Sequence, residues 1–280
     1  MASDPASALR RNVTPTRVLA VDPKGASERS DTLATEEPME IRAGGPGREP
    51  ESVAVTMRTP GGDFELAAGF MFTEGLITGA EDLQQVSYCE LPAEEQRFNV
   101  VTVRLTRPFD AQLLRRNFYA TSSCGICGKA ALEDVEVHCA LLPEGPAVSR
   151  EVIAALPDVL RQGQQVFERT GGLHAAGLFD PDGTLLSLRE DVGRHNAVDK
   201  LVGEALLARK LPLAERILLV SGRVSFEIVQ KTAVAGVPIV AAISAPSSLA
   251  VDAAERLGQT VIGFVRGGRF NAYTHVERIL

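Results

Sequence analysis

Tryptophan is absent from this 280-residue sequence, and aromatic residues make up only 5% of it. Packing therefore falls to Val, Ile, Leu and Ala, which suits α/β layers better than an aromatic-rich barrel. No apolar run approaches the ~20 residues of a membrane-spanning helix. Cations are outnumbered: 29 Lys and Arg face 36 Asp and Glu, for a net charge of −7. Such a chain is repelled by bulk nucleic acid, since phosphate binding needs clustered basic residues. A local basic loop remains able to hold one anion. The N-terminal residues 1–11 lack the apolar stretch of a secretory signal, so the expected location is the cytoplasm. Cysteines number only four, Cys89, Cys124, Cys127 and Cys139. In a large chain without an export signal they are expected to be thiols.

Residues 1–14 read as a disordered tail. A β-rich N-terminal portion is expected over 15–120, with strands at 17–21, 39–42, 52–58 and 98–105. Within it, Asp63 is placed to open a helix through Leu66, Ala67, Phe70 and Met71. A mobile cysteine loop at 121–128 leads into an α/β portion over 129–280, starting with a short helix at 129–135. Residues 149–167 read as a helix interrupted near Pro157. Asp180-Pro181-Asp182-Gly183 signals a hairpin between strands at 173–179 and 185–188. A helix at 194–208 follows. Strands at 217–220, 239–243 and 261–265 then alternate with helices at 226–234 and 249–257. That alternation argues for a parallel or mixed sheet covered by helices.

Open α/β sheets bind ligands beyond the carboxyl ends of their strands. Here the first end runs into Ser221-Gly222-Arg223-Val224-Ser225, the second into Ser244-Ala245-Pro246-Ser247-Ser248, and the third into Arg266-Gly267-Gly268-Arg269. Helix N-termini attract anions, hydroxyls add donors, and guanidiniums grip phosphate in two places at once. Three such loops in one βαβαβ unit point to a phosphate-bearing ligand such as a nucleotide. The plainer alternative makes Ser225 and Ser247 ordinary helix caps and the glycines ordinary turns. No Walker or G-x-G-x-x-G fingerprint is present.

Cys124 and Cys127 form a C-x-x-C pair flanked by glycine and serine, just before Lys129. Helix starts, cations and pairing all draw a thiol from about 8.5 toward roughly 3.5–7.5, so the pair favours thiolate. Zinc is one role, but two ligands are half of a structural site, and the adjacent His138 and Cys139 would point to opposite faces of a strand. A thioredoxin-like redox pair is a second, although the strand-then-long-helix setting is missing. A third is a carrier thiol that holds sulfur as a persulfide, and a fourth a pair of reduced surface thiols with no role. Spacing alone does not rank them. No H-x-E precedes the cysteines, which speaks against a zinc deaminase. Cys89 and Cys139 lie in apolar runs and read as packing thiols.

Six segments decide between these roles by resemblance. Thr121-Ser122-Ser123-Cys124-Gly125-Ile126-Cys127-Gly128 resembles the signature of the formate dehydrogenase accessory sulfurtransferase family, FdhD. Thr170-Gly171-Gly172-Leu173-His174, the run from Glu190-Asp191 through Arg194-His195-Asn196 to Asp199-Lys200, Ser221-Gly222-Arg223-Val224-Ser225-Phe226-Glu227, and Ile243-Ser244-Ala245-Pro246 agree in order, as does the closing Gly263-Phe264-Val265-Arg266-Gly267-Gly268-Arg269. The resemblance implies a three-layer α/β/α fold similar to cytidine deaminase, and a homodimer. It implies a sulfur carrier that accepts persulfide sulfur from a cysteine desulfurase and passes it to molybdenum bis(molybdopterin guanine dinucleotide) destined for formate dehydrogenase. Cys124 would bear the persulfide, with Cys127 auxiliary. Phe264, Val265, Arg266, Gly267, Gly268 and Arg269 match a cofactor-binding segment, to which the strand-end reading adds Ser221, Gly222, Arg223 and Ser244. His174, His195 and Lys200 are polar motif residues able to donate a proton or bind the ligand. No resident metal, nucleic acid or membrane partner is expected. The alternative from another class is a non-catalytic nucleotide- or zinc-binding adaptor of a metalloenzyme.

Overall fold

A computed structural model describes residues 11–89, 98–109, 139 and 141–280. Cys124, Cys127, the expected cysteine loop and the helix expected at 129–135 lie outside the described residues. Hydrogen-bonded structure begins at Val13, ahead of the boundary expected after residue 14.

Two antiparallel strands, β1 (Val13–Asp22) and β2 (Gly25–Ala34), form a hairpin of their own. A four-stranded sheet has the order β4-β3-β6-β5, built from β3 (Glu37–Gly44), β4 (Glu51–Arg58), β5 (Leu83–Tyr88) and β6 (Val100–Leu105). Helix α1 (Asp63–Thr73) packs its Leu66, Ala67 and Met71 on that sheet's Met39, Ile41, Val101 and Val103.

The second half is a six-stranded sheet, order β12-β11-β10-β9-β7-β8. Its strands are β7 (His174–Phe179), β8 (Leu185–Asp191), β9 (Ile217–Val220), β10 (Ile239–Ala242), β11 (Thr260–Arg266) and β12 (Arg269–Ala272). β9, β10 and β11 are parallel, whereas β7, β8 and β12 pair antiparallel with their neighbours. The sheet is therefore mixed. Side chains of successive strand residues point to opposite faces. Ile217, Leu219, Ile239 and Ala241 meet Ile153, Leu156 and Leu160 of α2 (Arg150–Gly163) on one side. Leu218, Val220, Val240 and Ala242 meet α4 (Arg194–Leu207), α5 (Phe226–Val234) and α6 (Ser248–Leu257) on the other. Helices thus cover both faces, with α1 and the four-stranded sheet beyond α4.

Pro157 does not interrupt its helix: α2 runs unbroken through it and stops at Gly163, and a short α3 (Gln165–Thr170) follows. A helix-interior proline costs ~3 kcal/mol. Three fully buried side chains on the same helix, Ile153, Leu156 and Leu160, offset that penalty by docking on the sheet. Helices α1 and α4 cross at two glycines. A Cβ at Gly69 would stand 1.8 Å from the Asp199 carbonyl, and one at Gly203 would stand 1.8 Å from that of Glu65. Only hydrogen at both positions lets the backbones meet.

Candidate functional site: the carboxyl edge of the six-stranded sheet

Parallel pairing puts the carboxyl ends of β9, β10 and β11 on one edge. β7 runs against β9 and starts at that edge with His174, which pairs with Asp191 at the end of β8. Five chain segments therefore converge. They are zipped laterally by backbone bonds: Ser221 N donates to Ala175 O (2.9 Å), Val224 N to Ala245 O (3.2 Å), Ser247 N to Val224 O (2.9 Å) and Phe264 N to Ser244 O (3.0 Å). The edge is a preformed surface rather than a set of loose loops.

Its ten expected ligand residues fall into different roles. Arg266 and Arg269 face each other as a cross-strand pair, joined by Gly267 and Gly268 at φ 58° and 73°. Two positive φ values in a two-residue loop are what a type I′ hairpin demands, so glycine is chosen here for conformation. Both arginines are exposed. Like charges directly opposite each other destabilise a ladder, and an anion held between them removes that cost. Arg266 also lies over the Phe264 ring, 5.5 Å from its centroid. Phe264 is a non-glycine residue at φ 56°, within the register shift between Gly263 and Arg266. Such a backbone costs roughly 1–3 kcal/mol and gathers at ligand sites. Val265 differs: its side chain is wholly buried in the core under α2, leaving only its backbone for a ligand. Ser221 Oγ accepts from Ala175 N at 2.9 Å and serves β7. Gly222 is buried, Arg223 exposed and Ser244 half-buried.

The two serines at helix starts divide. Ser247 caps α6, accepting from Ala250 N at 3.3 Å. Ser225 occupies the cap position of α5 without capping it; its Oγ sits 3.4 Å from His195 Nε2. α4 likewise starts after Gly193 with no side-chain cap. Two helix N-termini therefore open on this edge without a capping side chain, although at α5 Ile228 N and Val229 N donate to Ser225 O and the Glu227 carboxylate accepts from its own N–H.

The segment from Glu190 to Lys200 is mostly scaffold. Glu190 accepts from Val166 N (3.0 Å) and Phe167 N (2.8 Å), capping α3. Asp191 is fully buried and accepts from Thr59 N, Gly193 N and Asn196 Nδ2 at 2.8–3.1 Å, with Lys200 Nζ at 2.6 Å. Lys200 is itself sealed, donating to Thr59 O at 2.8 Å, so of the three polar motif residues singled out in the sequence it is the one turned away from the edge. His174 and His195 do reach it. Burial, reinforced by the Arg194 charge, lowers both; His195, also repelled by Lys231, falls to about 4 despite Glu227 and Glu74. Both rings are neutral at neutral pH.

Sequence reasoning passed over Arg194. Its signal was available: a cation in the first turn of a helix opposes the dipole. Among the thiols, Cys139 is buried and burial pushes it up to about 11, making it a packing group. Cys89 is half-buried. Among the described residues no helix is long and apolar enough to cross a membrane.

Comparison with known proteins identifies relatives over nearly the whole chain. The model of the FdhD/NarQ family matches residues 34–280. A sulfur carrier protein FdhD of Nocardia farcinica is 49% identical over 267 residues, covering 94% of this chain and 93% of the relative. That of Mycolicibacterium paratuberculosis is 52% identical, covering 91% and 94%. Among solved structures, one described as a formate dehydrogenase accessory protein from Desulfotalea psychrophila superposes with a TM-score of 0.75 at 26% identity, covering 96% of this chain and 100% of that one.

Proposed function

The chain belongs to the FdhD/NarQ family, and from that premise we propose that it is a sulfur carrier of formate dehydrogenase maturation. The Cys124 thiolate attacks the terminal sulfur of a cysteine desulfurase persulfide. A bond forms between Cys124 Sγ and that sulfur, the S–S bond of the donor breaks, and its electron pair leaves with the donor cysteine as thiolate. Nothing is oxidised overall, and Cys124 holds a persulfide. Cys127 is auxiliary to this step. The loaded protein then presents that sulfur to its substrate, molybdenum bis(molybdopterin guanine dinucleotide), whose phosphates suit the edge of the six-stranded sheet. Two cross-strand arginines on a glycine hairpin supply positive charge there, and two helix starts without a capping side chain add their dipoles. That edge, in a chain whose net charge is −7, is the observation that carries the reading.

Intact-mass measurement after incubation with a desulfurase and cysteine tests it. Wild type should gain one sulfur atom, and Cys124→Ala should gain none. A wild type that stays unmodified would remove the carrier role; one zinc per chain held by Cys124 and Cys127 would replace it with a metal-stabilised adaptor.

A further inference from the structure

Arg194 is the first residue of α4, where the helix dipole works against a cation. It is drawn inward all the same. Its Nε is shut off from solvent and has no hydrogen-bond partner. Neighbouring carboxylates are engaged elsewhere: Asp191 is bound to Lys200 at 2.6 Å, and Glu227 lies 4.0 Å from His195, acting on Arg194 only through space. An enclosed donor without an acceptor is costly, and folded proteins keep few of them without a reason.

The surroundings supply the reason. Gly222 lies against this arginine: a Cβ there would sit 3.7 Å from Arg194 Cβ and 3.4 Å from His174 Nδ1. Glycine puts no side chain on that floor, and its loop leads into α5, where the Ser225 hydroxyl faces His195 instead of capping the helix. His174 and His195 flank the space as neutral rings, so Arg194 brings the charge and they bring hydrogen bonds. The end of β9 is two strands from that of β11, roughly 10 Å. A phosphate resting on the Gly222 backbone thus lies roughly 10 Å from the backbone of the Arg266–Arg269 turn.

We infer that Arg194, the Gly222 loop and His174 form a phosphate subsite separate from the Arg266–Arg269 turn. It rests on the proposal that this edge receives a nucleotide-bearing substrate, and it adds the residue that fixes where a phosphate of that substrate lies. Calorimetric titration of the full-length protein with GDP and with inorganic pyrophosphate tests it. Arg194→Gln should weaken both probes at least tenfold, and Arg194→Lys should recover part of the loss. Gly222→Val, a loop change that leaves the helix intact, should weaken both as well. The wild-type affinity should fall with added salt more steeply than that of Arg194→Gln, a response that a packing role would not produce. GDP binding indifferent to Arg194 and Gly222 overturns the subsite and leaves the nucleotide reading standing. Pyrophosphate binding that depends on Arg194, in a protein that ignores GDP, keeps the subsite and removes the nucleotide. Binding of neither probe by wild type overturns both.

Discussion

His195 refuses a proton in the folded chain down to about pH 4, whereas the unfolded chain takes one near 6.5. A folded pKa below the unfolded one means that stability is full above pH 6.5 and drains away as pH falls toward 4. About a third of the ring is exposed, so solvent screening trims the loss to about 1–2 kcal/mol. Denaturant unfolding at about pH 7 and about pH 4.5 measures it. Wild type should lose about 1–2 kcal/mol more than His195→Asn; equal losses would mean that the ring titrates freely. Little of this was legible beforehand. The sequence marks His195 as a polar motif residue beside Arg194, but its neutrality comes first from burial, then from Arg194 and from Lys231, and the burial and Lys231, 36 positions away, are visible only in the fold.

Among the elements, the crossing of α1 and α4 makes the sharpest claim. Gly203→Ala improves helix propensity by roughly 1 kcal/mol. Yet the new methyl would lie 1.8 Å from the Glu65 carbonyl, a backbone atom that cannot swing aside, and overpacking costs typically 1–3 kcal/mol or more. Scanning calorimetry should therefore find a lower melting temperature, by about 2–4 °C for each kcal/mol of net loss; a rise would refute the close crossing. Both helices were readable from apolar spacing, but the glycines were not singled out. The strand–helix alternation from β9 to β11 was legible because short apolar runs are bounded by serine and glycine. β2 escaped because Gly25–Ala34 is largely polar and exposed on both faces. β12 escaped because Gly267-Gly268 was taken for a ligand loop and not for a hairpin turn.

At the scale of the whole molecule, buried charges tie the first half of the chain to the second. Lys231 Nζ on α5 meets Glu74 at 2.8 Å, Asp199 at 2.9 Å and Thr73 Oγ1 at 2.9 Å. Burial alone would lower this lysine, but Asp199 and Glu74 outweigh it and hold the pKa above the ordinary value. Removing one member of a buried pair strands the other. Lys231→Met should cost about 3–5 kcal/mol in denaturant unfolding. Lys200→Met should cost less, because Asp191 keeps three other donors. A reversed order would undo this account of the interface. The Glu190–Lys200 run thus looked functional in the sequence while most of its side chains hold the halves together. A conspicuous motif does not separate ligand contacts from struts; partner atoms do.

The lateral zipping of five strand ends also has a temporal side. The segment that carries Cys124 and Cys127 leaves the ribosome well before the Arg266–Arg269 turn. A nascent chain that has not reached Gly263 would hold Cys124 and Cys127 while the strand-end edge still lacks the end of β11 and its turn. Synthesis order alone therefore finishes that edge only after both cysteines have been made.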